Sequence, residues 1–224
     1  MIFSSLFFIY VFLPATLVLY YLVPFKFKNA VLLLFSLVFY AWGEPVYIFL
    51  MMFSIVFNYL SGLEIDYYRR NGYQKRAKST FMVTLVANLL ILGFFKYYGF
   101  LVENLNLILP FQIPYRQLAL PIGISFYTFQ TLSYVIDVYW GHVEVQKNLV
   151  SFGAYVTMFP QLIAGPIVQY SDVAEQLQKR VISLNNFGYG AAWFLRGLAK
   201  KVLFANNIGM VYDAVAAMAV GERS

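Results

Sequence analysis

Few side chains in this sequence could carry out chemistry. The chain has one histidine, His142, and no cysteine, so it holds no thiolate nucleophile and no pair of imidazole metal ligands. Histidine is the most common general base, but His142 lies in the polar stretch GHVEVQKN, where neither a nucleophile nor a buried orienting group accompanies it. We therefore interpret His142 as a solvated loop residue. The sequence also contains no phosphate-binding loop, nucleophile elbow or metal constellation.

Three cations lie in an apolar stretch near the carboxyl end. Arg196 and Lys200 are four residues apart and share one helix face, while Lys201 points to a neighbouring face. Cations inside a membrane usually face an anion or water. One interpretation is therefore an anion site for a phosphate-bearing or thioester-linked acyl donor. The alternative is a topology signal or anchor at the inner membrane surface.

The stretch FPQLIAGP combines helix breakers with an amide inside an uncharged, apolar region. Non-helical backbone at membrane depth is tolerated only where protein buries it or where it lines a wet cavity. We therefore expect a broken or re-entrant segment at 148–171. In this interpretation Pro160, Gln161, Gly165 and Pro166 line a passage.

A second group of polar side chains lies on the predicted helix that follows Pro121. Ser125, Tyr127 and Gln130 belong to this group, and Gln130 and Tyr134 are four residues apart, which places them on one face. They are candidates for the lining of a substrate path. Hydrogen bonding between helices of a bundle would explain the same residues.

Composition places the whole chain in a membrane. Of its 224 residues, 61% are hydrophobic and only 12% are charged, whereas soluble domains carry about 25% charged residues. The fold class that follows is an all-α polytopic membrane protein. The net charge of +6 then reports topology and does not indicate nucleic-acid binding.

Apolar runs of sufficient length predict six membrane spans in a single membrane domain, 1–224. The predicted spans are 2–23, 29–43, 45–63, 79–101, 118–136 and 185–207. The remaining predicted segments are an outer loop at 103–117, an inner loop at 137–147 and an amphipathic surface helix at 172–180. No completed span is expected after Gly209.

Basic residues predict the orientation of these spans. The most basic loop is 64–78, and the positive-inside rule places it in the cytoplasm together with Lys26 and Lys28. The amino terminus then lies outside. The first span has no charged residue and no basic stretch before it, so we interpret it as a retained span rather than a cleavable signal.

Four stretches resemble motifs of the membrane-bound O-acyltransferase family, in the expected order. They are FYAWGEP at 39–45, LPIGISFYTFQTLSYVIDVYWG at 120–141, FPQLIAGPIVQYSDV at 159–173 and FLRGLAKKVLFANNI at 194–208. The GEP turn and the PQLIAGP stretch are most similar to the bacterial alginate O-acetyltransferase-like branch. Asn206 departs from the pattern, because an acidic residue is expected there.

The resemblance implies a ring of helices around a funnel in the cell membrane, a multi-pass protein surrounded by the lipid bilayer. Such proteins pass an acyl group, acetyl in the alginate-type branch, from a cytoplasmic thioester donor to a cell-surface polysaccharide. The thioester is a co-substrate and no cofactor is bound. An extracytoplasmic acyl-accepting partner protein is also implied. The family's essential histidine lies on a later helix, so we expect it beyond Ser224 and expect this amino-terminal part to be inactive alone.

Other functions remain open at this point. A related branch of the family implies D-alanyl transfer to teichoic acid. A transporter would also have a polar interior with broken helices, although internal symmetry is common in such transporters and none is visible here. A non-catalytic membrane scaffold that recruits a partner is the third alternative.

Overall fold

A computed structural model describes residues 3–114, 118–162 and 165–218 of the chain. All regular elements in these residues are helical. Three of the described helices are long and apolar enough to cross a membrane: Phe25–Gly43, Ile48–Arg70 and Gln74–Ile108. The predicted all-α membrane class is therefore confirmed. The chain divides into two compact units, Thr16–Lys179 and Met1–Ala15 together with Arg180–Ser224.

Ten α-helices follow one another along the described chain, with two π-helical stretches between or before them. The α-helices are α1 Leu13–Leu22, α2 Phe25–Gly43, α3 Ile48–Arg70, α4 Gln74–Ile108, α5 Ile124–Trp140, α6 Leu149–Thr157, α7 Phe159–Leu162, α8 Tyr170–Gln178, α9 Leu184–Ala199 and α10 Asn206–Ala217. The π-helical stretches are Phe8–Phe12 before α1 and Lys200–Ala205 between α9 and α10.

The predicted basic loop at 64–78 is mostly helical, which is a correction. α3 continues to Arg70 and α4 begins at Gln74, so only a tight turn separates them. Gly72 has a φ of +77°, a value that glycine adopts without strain. Arg69 and Arg70 occupy the last turn of α3, where cations are favourable next to the helix carbonyls. The apolar runs end at the charged stretch 64–78, but α3 and α4 continue into that stretch as helices.

The basic segment between the first two spans is also helical. α2 begins directly after Pro24, so Lys26 and Lys28 lie in its first turn. Lys28 is buried, and its ammonium donates to the carbonyl of Tyr20 over 2.6 Å and lies 4.4 Å from the centre of the Tyr20 ring. This lysine therefore anchors the end of α1 instead of lying in a loop.

Three other predicted boundaries differ from the observed helices. α4 continues to Ile108, inside the predicted outer loop. α5 begins at Ile124 rather than at 118, because Gly123 precedes it with a φ of +76° that ends the extended segment. Helical structure also continues to Ala217, through a π-helical stretch at Lys200–Ala205, whereas the last span predicted from the sequence ends at 207.

Polar residues join α3 to its neighbours within the unit Thr16–Lys179. Asn58 of α3 and Asn88 of α4 are buried and exchange reciprocal amide hydrogen bonds of 3.1 and 2.9 Å. Each amide also donates to the carbonyl four residues earlier in its own helix. At the basic end, the guanidinium of Arg69 donates to the carbonyl of Val138 in α5 over 2.8 Å. At the same end of α3, the carboxylate of Asp66 forms an ion pair with the guanidinium of Arg70 at 2.7 Å.

The Asn58–Asn88 pair predicts a specific pattern of stability changes. Asn58→Leu should lower the free energy of unfolding by about 1 kcal/mol, because the buried amide of Asn88 loses its partner across the helices. The double variant with Asn88→Leu should lose less than the sum of the two single changes. Thermal unfolding in detergent measures both effects. The matched control is Asn104→Leu, since Asn104 is exposed on α4 and donates only to the carbonyl of Phe100; additive losses from the pair would contradict the prediction.

Candidate functional site

The candidate site is built around an interruption of the helix that begins at Leu149. α6 ends at Thr157, and Met158 has non-helical torsion angles of φ −44° and ψ 109°. A single turn, α7, then covers Phe159–Leu162. Pro160 has no amide hydrogen to continue the α-helical pattern. The amide of Phe159 donates to the hydroxyl of Ser36 in α2 over 3.2 Å, so it does not close a turn on the carbonyl of Tyr155.

Two side-chain amides compensate for this interruption. The Nε2 atoms of Gln130 and Gln161 donate to the same backbone oxygen, that of Tyr155, over 2.9 and 2.7 Å. A carbonyl oxygen has two lone pairs, so both are used. The structure thus brings Gln130 of α5 and Gln161 of α7 together at the break. Both amides act in helix-to-helix hydrogen bonding, and their contact with a substrate stays a prediction.

Three buried tyrosines, Tyr134, Tyr155 and Tyr170, form a cluster beside the break. The hydroxyl of Tyr155 donates to the carbonyl of Val168 beyond the break over 3.0 Å. The ring of Tyr155 lies 5.3 Å from the ring of Tyr170, which in turn lies 4.9 Å from the ring of Tyr134. All three side chains are fully buried. These rings fix the position of the segment that follows the break against α5 and α6.

Gln146 belongs to this cluster, although the sequence analysis placed it in an inner loop. It is 6% exposed, and its side chain donates to the hydroxyl of Tyr170 over 3.0 Å. Its backbone amide donates to the hydroxyl of Tyr134 over 3.1 Å. The signal in the sequence is the alternation of the apolar Val143 and Val145 before it; Val145 is buried and Val143 packs against the core. Two apolar residues in a polar stretch are too weak to predict this contact.

The other predicted lining residues fall into two classes. Tyr127 is 1% exposed and Ser125 is partly buried, so both lie within the helix packing. Pro160, Gly165 and Pro166 are exposed. Within the described residues, the hydroxyls of Tyr127 and of Tyr40 in α2 are both enclosed by protein, and neither has a hydrogen-bond partner.

Gly123 sets the distance between the start of α5 and the broken segment. A Cβ atom at this position would lie 3.0 Å from the carbonyl oxygen of Leu162. That approach is tighter than an ordinary van der Waals contact, and the φ of +76° independently favours glycine. The structure shows that Gly123 makes room for α7.

The three candidate donor-side cations lie in the other unit. Lys200 N–H donates to the carbonyl of Arg196, so the predicted one-turn spacing is present. The guanidinium of Arg196 lies 5.4 Å from the centre of the Trp193 ring. Arg196 and Lys200 are exposed and Lys201 is partly buried. Among the described residues, no carboxylate lies within ion-pair distance of these cations.

His142 has no catalytic surroundings in the structure. Its side chain is 63% exposed, and its Nδ1 atom lies 3.6 Å from Asp137 Oδ1. Within the described residues its ring contacts that of Trp140, at 5.6 Å between ring centres. A general base needs a substrate hydroxyl or a nucleophile within hydrogen-bond reach. The geometry therefore agrees with a solvated loop histidine.

The two amides at the break predict a cooperative loss of stability. Gln130→Leu and Gln161→Leu should each lower the free energy of unfolding by about 1 kcal/mol, because the oxygen of Tyr155 keeps one donor. The double variant should lose more than the sum, because that buried oxygen is then left without a donor. Thermal unfolding in detergent checks this, with Gln178→Leu on the exposed side of α8 as control. Strict additivity would show that the amides do not share the carbonyl in solution.

Comparisons with known proteins find curated relatives that are named O-acetylases or O-acetyltransferases. No family model matches the chain, and no solved structure matches it. A probable alginate O-acetylase of Pseudomonas aeruginosa is 40% identical over 220 residues, which cover 95% of this chain and 41% of that protein. The same named protein of Azotobacter vinelandii is 40% identical over 219 residues and is covered to 43%.

A relative with a different named polymer is also similar. The peptidoglycan O-acetyltransferase of Helicobacter pylori is 32% identical over 245 aligned positions, which cover 95% of this chain and 46% of that protein. The chain thus spans less than half the length of these curated relatives. The predicted similarity to bacterial alginate O-acetyltransferases is confirmed over 95% of the chain.

Proposed function

We propose that the chain forms a membrane-embedded part of an O-acetyltransferase that modifies a cell-surface polysaccharide. The observation that carries this proposal is the 40% identity to probable alginate O-acetylases over 95% of the chain. The named relatives act on alginate and peptidoglycan. An acetyl group as the acyl group and a polysaccharide as the acceptor follow from these names more directly than D-alanyl transfer to teichoic acid does.

The cations of α9 and the π-helical stretch are the proposed contact for the acyl donor. A thioester donor with phosphate groups carries negative charge, and Arg196 and Lys200 present two cations on neighbouring turns. Lys201 adds a third on an adjacent face. Guanidinium and ammonium groups both bind phosphate, the guanidinium in a bidentate geometry. The positive-inside rule places this contact on the cytoplasmic side, where the donor is made.

The helix break is the proposed wall of the path through the membrane. Its packing is fixed by Gln130, Gln161 and the tyrosine cluster. The exposed residues Pro160, Gly165 and Pro166 then face whatever adjoins the break. An extracytoplasmic partner protein would accept the acyl group at the outer end and pass it to the polysaccharide. Neither the donor thioester nor this partner is a resident cofactor of the chain.

The general base of the proposed reaction is not His142. The family resemblance implies a histidine beyond Ser224, and that assignment remains a prediction. Such a base would remove the proton from an acceptor hydroxyl as that oxygen attacks the thioester carbonyl, and the thiolate of the donor would leave. The described residues supply the path and the donor contact in this scheme, and a segment outside them supplies the base.

The donor contact predicts a change in KM rather than in kcat. In membranes that contain the acetylating system, Arg196→Gln combined with Lys200→Gln should raise the KM for the thioester donor about tenfold, the equivalent of about 1.4 kcal/mol. The control is Lys75→Gln, which removes an exposed cation from the first turn of α4. An unchanged KM would assign these cations to topology alone.

The exposure of His142 predicts that it is dispensable. His142→Gln should leave the amount of O-acetyl groups on the surface polysaccharide unchanged, because the His142 side chain is 63% exposed and its neighbour at 3.6 Å is the carboxylate of Asp137, which has no proton to give up as a nucleophile. The measurement compares O-acetyl content in a deletion strain complemented with each variant. Loss of acetylation with retained protein level would make His142 catalytic.

In the same strain, Gln161→Ala tests the path: unchanged acetylation would exclude a role of Gln161 in it.

The same strain separates the proposed enzyme from its alternatives. Complementation by the wild-type gene should restore the O-acetyl groups. A transporter would instead be identified by uptake of a solute into vesicles without any change in polysaccharide acetylation. A scaffold would be identified by acetylation that depends on the presence of the chain but not on its donor-side cations.

A further inference from the structure

We propose that the outer ends of α3 and α4 form a binding site for one anionic phospholipid, with an acyl chain in the groove between the helices and the phosphate at Lys96. The groove has a volume of about 860 Å³, within the range of pockets that enclose small molecules. Its lining is apolar and aromatic and includes Leu50, Phe53, Leu90, Gly93, Phe94 and Tyr97. This site is independent of the proposed acetyl transfer.

Gly93 opens the groove. A Cβ atom added to Gly93 would meet no other atom within 4 Å, so the position adjoins open space. Glycine inside a helix costs about 1 kcal/mol relative to alanine, and no close helix contact explains it here. The aromatic residues Phe53 and Phe94 beside the groove are each at least half exposed. The groove is therefore a notch in an otherwise bulky surface.

The charge of Lys96 selects the headgroup. Lys96 follows Gly93 by three residues and Tyr97 follows it by four, so they share one face of α4. The Lys96 ammonium lies 5.5 Å from the centre of the Tyr97 ring. Among the described residues no carboxylate forms an ion pair with it. A lipid phosphate supplies the missing negative charge.

The depth of Lys96 in the membrane fits a headgroup. Lys78 and Lys96 are the charged residues that bracket an uncharged segment of α4. They are eighteen residues apart, or about 27 Å along a helix, close to the ~30 Å thickness of the hydrocarbon core. Lys96 thus lies at the surface opposite the basic turn. Tyr97 and Tyr98 lie at the same level, where tyrosine is enriched.

The acyl chain then has a defined direction. The groove residues Leu89, Leu90, Ile91, Gly93, Phe94 and Phe95 extend from the level of Lys96 toward the membrane centre, Tyr97, Tyr98, Phe100 and Leu101 line its outer part, and Leu50 and Phe53 of α3 form the other wall. The ring of Tyr47, directly before α3, contacts the ring of Phe95 at 5.7 Å. A phosphate and an adjoining chain are the two features of a phospholipid, whereas free phosphate would leave the groove empty.

The experiment uses the purified protein in nanodiscs that contain equal amounts of phosphatidylglycerol and phosphatidylcholine. One of the two carries a photoreactive acyl chain in each sample, and cross-linked peptides are identified by mass spectrometry. The expected result is that phosphatidylglycerol labels the peptides around Leu50 and Gly93 in clear preference to phosphatidylcholine. Equal labelling by both lipids would overturn the proposal.

Two variants with matched controls locate the site. Lys96→Gln should reduce the preference for phosphatidylglycerol about fivefold, the effect of one basic residue near an anionic headgroup, and Lys78→Gln at the other end of the segment should not change labelling of the groove. Gly93→Leu should reduce groove labelling to that of bulk lipid, while Gly188→Leu, at an exposed glycine of α9, should not. Unchanged labelling in both groove variants would disprove the site.

The competing occupants are distinguished in the same samples. The chain contains no cysteine, so Phe53→Cys provides a unique attachment point for a bifunctional cross-linker. Cross-links from this position to a second copy or to another protein segment, in place of lipid, would overturn the proposal. Circular dichroism confirms the helical content of each variant. If Gly93→Leu does not fold, the comparison of Lys96→Gln with Lys78→Gln decides.

Discussion

The backbone oxygen of Tyr155 is the point on which the interior of this protein depends. An interrupted helix in an apolar environment leaves backbone groups without partners, and each such group costs several kcal/mol in lipid. Here the turn at Met158 directs the amide of Phe159 to Ser36 and so frees that oxygen, which accepts from Gln130 and Gln161 instead. The break is therefore stable without a ligand. Its residues form a permanent feature of the fold on which a path can be built.

The same constraint explains the other polar residues inside the apolar segments. Asn58 and Asn88 satisfy each other across α3 and α4. Ser36 accepts the amide of Phe159 that the break releases, and Lys28 uses the carbonyl at the end of α1. These side chains pair backbone or amide groups, because a buried polar group without a hydrogen bond is costly in an apolar interior.

The sequence predicted the class, the apolar segments and an interrupted helix within 148–171, because each of these depends on composition or on local backbone chemistry. Helix ends were less predictable. α3 and α4 continue through charged residues that no hydropathy argument includes, and only Gly72 marks the turn between them. The sequence also did not predict that Gln130 and Gln161 donate to the same carbonyl, that of Tyr155. The two amides lie 31 positions apart and meet because α5 packs beside the break.

The glycines show why the rest required a structure. Gly62 allows the ring of Tyr134 to approach α3, since a Cβ there would lie 2.8 Å from that ring. Gly141 makes room for the guanidinium of Arg69, which pairs with a carbonyl at the end of α5. Gly93, by contrast, adjoins open space. In the sequence these positions look alike, and their roles follow from which tertiary neighbour each one meets: a ring, a cation, or an empty groove beside a lysine.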